Sequence, residues 1–164
     1  MEAQARNPVP FQFHCPRYEE LPDMGLYLEQ VLTIVNAALA PLKCEAITGA
    51  VISNYVKNGA VPPPEKKRYR RVHLVYIIAI TILKQIFTIQ QVATFFDIQQ
   101  ETYPLSVAYN FFCCELENAL KEAFDFTGLP LPVIETVRTP QTILVRSMVL
   151  AVANRVYVEH TFLS

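Results

Sequence analysis

Three consecutive prolines, Pro62-Pro63-Pro64, divide the most telling stretch of this chain. Each fixes its own φ and biases the residue before it toward extended backbone, so no helix runs through them. On their N-terminal side, Thr48 is placed to cap a short helix that stops at Gly59, a residue tolerant of the left-handed position after a helix end. On their C-terminal side come Lys66-Lys67-Arg68-Tyr69-Arg70-Arg71 and then an apolar run from His73 to Phe87. The stretch therefore reads as a helix, a stiff basic excursion and a second helix.

The charge distribution gives this excursion a direction. The 164 residues hold 14 Lys+Arg and 15 Asp+Glu, a formal net charge of −1. Between Asn54 and His73 there are six cations (Lys57, Lys66, Lys67, Arg68, Arg70, Arg71) and one anion (Glu65), so this window carries +5 and the remaining eight cations and fourteen anions carry −6. A molecule so polarised turns its basic face toward phosphate while its acidic remainder resists non-specific contact. Helices beside a rigid cationic loop are the parts of a winged helix-turn-helix, and they suit a duplex whose groove admits the helix and whose phosphates attract the loop.

The rest of the chain is read mainly as helix. Leu28, Val31, Leu32, Val35 and Leu39 share one face of a helix between Gly25 and Ala40, closed by Pro41. The His73–Phe87 run is apolar nearly all round; periodicity leaves a strand open for Val75–Leu83, while length without Gly or Pro favours a central helix. Thr88-x-x-Gln91 is a capping box opening a short helix, Gln90–Asp97. Leu105, Tyr109, Phe112, Leu116, Ala119, Ala123 and Phe126 alternate steps of four and three, a seam for another helix. That seam is either a dimer interface, spacing two wings for two half-sites, or the inner face of a bundle with Val145, Met148, Val149, Val152 and Val156 of the same chain. Gly128, Pro130 and Pro132 break it, and Thr139-Pro140 caps and begins the last helix. Upstream, Pro8, Pro10, Pro16 and Pro22 prescribe an irregular arm, which Phe11, Phe13 and Tyr18 fasten across the body.

With 52% hydrophobic residues and only four Gly, the expected fold is mainly α. Residues 1–24 form the arm, 25–98 the winged helix-turn-helix unit, and 102–164 a helical extension that assembles subunits.

Other chemistries find little support in the pattern. Cys15, Cys44, Cys113 and Cys114 lack C-x-x-C spacing and a neighbouring His pair, so no metal is expected and the thiols are read as reduced. No secretory leader is visible, and Leu74–Ile89 contains Lys84 and falls short of the roughly 20 residues of a membrane span. A cytoplasmic location without membrane contact follows. His14, His73 and His160 are scattered, Glu115 and Glu117 diverge on a helix, and no nucleophile elbow, H-E-x-x-H or glycine-rich phosphate loop occurs. The expectation is a protein that is not an enzyme and carries no cofactor.

Two resemblances sharpen this picture. Asn54-Tyr55-Val56-Lys57-x-Gly59-x-Val61-Pro62-Pro63-Pro64, followed by Lys66-Lys67-x-Tyr69 and Leu83-Lys84-Gln85 and preceded by Leu21-Pro22 and Leu26-Tyr27-Leu28-x-Gln30-Val31, resembles an uncharacterised bacterial family of domains of unknown function, mostly from Gram-positive genomes. The likeness covers roughly Phe11 to Phe112 and implies no activity. More distantly, a helix followed by Tyr55-x-Lys57-x-Gly59-x-x-Pro62-Pro63, a basic aromatic wing and two further helices is similar to the DNA-binding half of MerR-type transcription regulators. In that family an Arg and an aromatic stand where this chain has Ser53 and Asn54, and an Asn-Gly turn is usual at the wing tip.

The architecture implied is a MerR-like winged helix-turn-helix with a helical C-terminal extension, and the function implied is regulation of transcription through double-stranded DNA. Lys66, Lys67, Arg68, Arg70 and Arg71, flanking Tyr69, are the expected phosphate clamps. On the recognition helix, Thr48, Ser53, Asn54 and Lys57 are the expected base or backbone contacts; Asn54 pairs bidentately with adenine or else bonds locally at the helix end. Tyr55 reaches a phosphate or packs beneath the wing. A homodimer is the expected assembly, and a small-molecule effector between the C-terminal helices would tune the wing spacing. The competing expectation is a protein-interaction or scaffold module of the same fold that binds its partner through the aromatic arm and apolar helices.

Overall fold

A computed structural model describes residues 12–125 and 138–163. Among the described residues there are six α-helices and no strand: α1 (Leu28–Leu39), α2 (Gly49–Lys57), α3 (Arg71–Leu83), α4 (Ile89–Gln100), α5 (Leu105–Phe124) and α6 (Pro140–Val158). Short 3₁₀ turns occur at Tyr18–Glu20 and Ala40–Leu42, and a π turn at Glu159–Leu163 continues α6. The fold is mainly α, as the composition indicates.

α3 is the centre of the molecule. From His73 to Leu83 every side chain but Tyr76 is buried, which is what an all-round apolar sequence demands once it is helical. α1 packs on α3 with Val31, Val35 and Leu39 inward. Pro41 does not stop the chain at Ala40; the helix tightens into the 3₁₀ turn Ala40–Leu42 and ends on Lys43 in a left-handed conformation. The turn into α2 is then pinned by Asn36, whose side-chain amide donates to the Ile47 carbonyl (3.1 Å) and accepts from the Ile47 N–H (2.9 Å).

Local capping sets the helix starts. The Thr48 hydroxyl accepts from the Val51 N–H at the head of α2. Thr88 and Gln91 form the reciprocal box of α4, with the Gln91 N–H donating to the Thr88 hydroxyl and the Thr88 N–H to the Gln91 side chain (3.2 and 3.0 Å). Thr139 caps α6, with Pro140 at the first helical position. α2 ends at Lys57, and Gly59 takes φ +74°, where a side chain would be strained.

The heptad seam is consumed within the chain. Tyr109, Phe112, Leu116 and Ala119 are buried, Leu105 and Ala123 half-buried, and α5 packs along α6, which turns Val145, Met148, Val149, Val152 and Val156 inward. Of the two readings of that spacing, the packing of α5 along α6 of the same chain is the one seen among the described residues. Phe126 and the breakers Gly128, Pro130 and Pro132 lie outside the described residues, as do Pro8, Pro10 and Phe11 of the arm.

α5 also receives the arm. The Tyr109 hydroxyl donates to the Pro16 carbonyl (2.7 Å), the Tyr18 N–H donates to the Asn110 side chain (2.8 Å), and Glu117 accepts from the Cys15 N–H (2.9 Å) and from Arg17 (2.6 Å). Residues 12–21 are thus a strap, held by partly buried polar groups as well as by apolar ones.

Candidate nucleic-acid interface

The proline strut leads into a minimal hairpin. Glu65 and Arg68 exchange both backbone hydrogen bonds (3.0 and 2.9 Å) across Lys66 and Lys67, whose φ values are +48° and +61°. Positive φ at both central residues makes this a two-residue turn of the I′ kind, which Asn-Gly ordinarily supplies because an L side chain costs about 1–2 kcal/mol in that conformation. Here two lysines occupy it, so the tip keeps the shape while presenting charge.

The base of the hairpin is fastened three ways. Leu26 and Tyr69 exchange backbone hydrogen bonds (2.7 and 2.9 Å). The Tyr69 ring is buried and meets His73 edge-on at 5.7 Å. His73 accepts the Arg70 N–H at Nδ1 (2.8 Å) and contacts the Pro63 carbonyl through Nε2 (2.9 Å), so Nε2 carries the proton and the imidazole ties the strut to the head of α3.

Not every cation of the excursion faces outward. Arg68 lies 3.7 Å from the Tyr27 ring centroid and donates to the Gly25 carbonyl (3.2 Å) and the Tyr27 hydroxyl (2.5 Å). A side chain at residue 25 would put a Cβ 3.2 Å from that of Arg68, so Gly25 admits the close approach. Arg71 donates twice to the Leu21 carbonyl (3.0 and 2.9 Å) and sits 5.0 Å from the Tyr18 ring. Arg70 is 3.9 Å from Glu65, both exposed, a pair too loose to hold it. Lys57, Lys66 and Lys67 are exposed and have no hydrogen-bond or ion-pair partner among the described residues. The expected ridge of six therefore reduces to three free lysines with Arg70 beside them, while Arg68 and Arg71 are structural clamps.

α2 presents a small polar face. Thr48, Ala50, Ser53, Asn54 and Lys57 are exposed, and Ile52 and Tyr55 turn inward. Tyr55 is only 2% exposed, with the Lys84 ammonium 5.2 Å from its ring, and Tyr69 is 9% exposed. Both tyrosines are core residues beneath the helix and the hairpin, which for Tyr55 is the packed one of its two readings. The Asn54 side-chain oxygen accepts from the Asn58 amide (3.0 Å), which also donates to the Asn54 carbonyl (2.7 Å), while Gln90 of α4 reaches the Asn58 oxygen at 3.4 Å. Asn54 thus makes the local bond, while the residue is exposed and its own NH₂ group has no partner among the described residues. Asn58, Gln90, Tyr27 and His73 are the residues sequence reasoning missed, and only Asn58, beside Gly59, carried a local signal.

His14, His160, Glu115 and Glu117 are engaged by internal bonds. His14 pairs with Glu20 (2.8 Å), and the His160 Nδ1 lies 2.9 Å from the Val156 carbonyl. Glu115 and Glu117 diverge as expected, toward Arg146 (3.2 Å) and Arg17. The four cysteines are unbridged, and among the described residues no three His, Cys, Asp or Glu come together as a metal site. None of the described helices is long and apolar enough to cross a membrane.

A family model matches residues 16–112, more than half of the chain, from the strap through the hairpin to the middle of α5. The chain belongs to the DUF1836 family, a domain of unknown function. The DUF1836 match contains the whole candidate interface: α2, the proline strut, the lysine turn and the residues that anchor them. No curated protein and no solved structure shows significant similarity to this DUF1836 chain.

Proposed function

We propose that this protein binds double-stranded DNA, with α2 entering a groove and the lysine turn gripping an adjacent phosphate backbone, in the manner of a MerR-like winged helix-turn-helix regulator of transcription in the cytoplasm. The observation that carries the reading is the hairpin tip: two unpartnered lysines held in left-handed backbone on an arch anchored by Tyr69, His73 and Leu26. Strained, exposed charge on a rigid support is arranged for a polyanion, since folding alone would favour Asn-Gly there. Phosphate contacts by Lys57, Lys66 and Lys67 position the protein, and Ser53 and the Asn54 amide are the side chains left to read base edges. Fluorescence anisotropy with a labelled pool of duplexes at low salt tests this. Binding is expected, and the double substitution Lys66→Gln, Lys67→Gln is expected to weaken it more than tenfold; equal binding by the variant contradicts the reading.

One observation favours the interaction-module reading. Ile143 (42%), Leu150 (44%) and Val158 (42%) are exposed along one side of α6, with Phe162 and Leu163 beyond. A second copy of the chain covering this side would make the proposed homodimer without the α5 seam. Sedimentation of the wild type against Leu150→Glu decides it: a dimer that the substitution dissociates supports this face, and a monomer at micromolar concentration opposes it.

A further inference from the structure

The turn before α2, the C-terminal end of α3 and the last turn of α6 enclose a cleft of about 420 Å³ that the DNA reading leaves unused. We infer that this cleft binds a small anionic ligand of the carboxylate or phosphate class.

Three cations line it, one from each element: Lys43, Lys84 and Arg155. Neither lysine has a hydrogen-bond or ion-pair partner, and Lys84 is exposed, with its ammonium 5.2 Å from the Tyr55 ring that forms part of the floor. Arg155 makes one hydrogen bond, from Nε to Glu159 (2.9 Å), so its other guanidinium N–H groups are free to donate. The facing carboxylates are Glu45 and Glu159, the second already engaged by Arg155. The balance is one net positive charge, with unpaired donors on opposite walls.

The backbone adds a second sign. Lys43, which ends the 3₁₀ turn, holds φ +53° without being Gly or Asn, a conformation that recurs at ligand clamps. Cys44, beside it, contributes no competing anion, because burial pushes its thiol up to about 11. Val51 and Tyr55 supply an apolar wall for a short carbon body, and an adjoining cavity of about 240 Å³ past Cys44 and Thr81 extends the space. Such a site would join the end of α6 to the start of α2, and it stands whether or not α2 meets DNA.

The test is an amide-shift titration of the full ¹⁵N-labelled chain with inorganic phosphate and, separately, with succinate, at constant ionic strength. Saturable shifts are expected at Lys43, Thr48, Lys84 and Arg155 with one shared midpoint for at least one of the two anions, the responder assigning the head group. Lys84→Gln and Lys43→Gln, both at exposed side chains, should each raise that midpoint about tenfold, equivalent to about 1.4 kcal/mol, and Lys66→Gln should leave it unchanged. Absence of saturation by either anion up to about 50 mM, or shifts centred on Lys66 and Lys67 instead, overturns the assignment.

Discussion

Lys66 and Lys67 hold backbone conformations that a glycine or asparagine would hold at lower cost, and the consequence is measurable in the folded protein alone. Replacing the pair as Lys66→Asn, Lys67→Gly is expected to stabilise the chain by about 1 kcal/mol and raise its melting temperature by roughly 3 °C, while weakening any duplex complex. A variant that melts at or below the wild-type temperature contradicts the strained tip. At the strap, burial by itself would raise the Glu117 carboxyl, but the Arg17 guanidinium and the Cys15 N–H outweigh it and hold the group below the usual carboxylate value. Because the folded value is depressed, the contribution is complete above an unfolded value of about 4.3 and fades as pH falls through the folded one. Glu117→Gln should therefore cost about 2 kcal/mol near neutrality and progressively less under acid, read by denaturant melts across pH. A penalty that stays constant down to acid pH would exclude the ion pair as its source.

Helices were legible in the sequence where their ends are local chemistry. Thr48, Thr88 with Gln91, Thr139-Pro140 and Gly59 act on residues at most four positions away, so their pattern survives without knowledge of the fold. α3 was ambiguous because an all-apolar run has no period to read, and only its surroundings on every side resolve it. The α5 seam was legible as a seam but silent about its partner: heptad spacing states that a helix is met, never whose. Leu116→Ala should cost about 3 kcal/mol, and the loss should be the same at every protein concentration, because its partners belong to the same chain. A penalty that shrinks as the protein is concentrated would return the seam to a dimer interface.

At the scale of the whole molecule, the basic run was visible as composition, but which cations are free was not. Arg68 is bound by Gly25 and Tyr27 and Arg71 by Leu21, partners 41 to 50 residues away that no local pattern announces. The strap on α5 and the Asn36–Ile47 clamp are of the same long-range kind. What stays free is Lys57, Lys66 and Lys67, with the polar face of α2 alongside, and under the proposed duplex binding that count of charges becomes a count of phosphates. Salt dependence of duplex affinity measures that count. With three lysines neutralising three phosphates, the log–log slope against monovalent salt should be about −3, and the triple substitution Lys57→Gln, Lys66→Gln, Lys67→Gln should bring it close to zero. Binding absent even at low salt, or a triple variant that keeps the wild-type slope, would contradict the account.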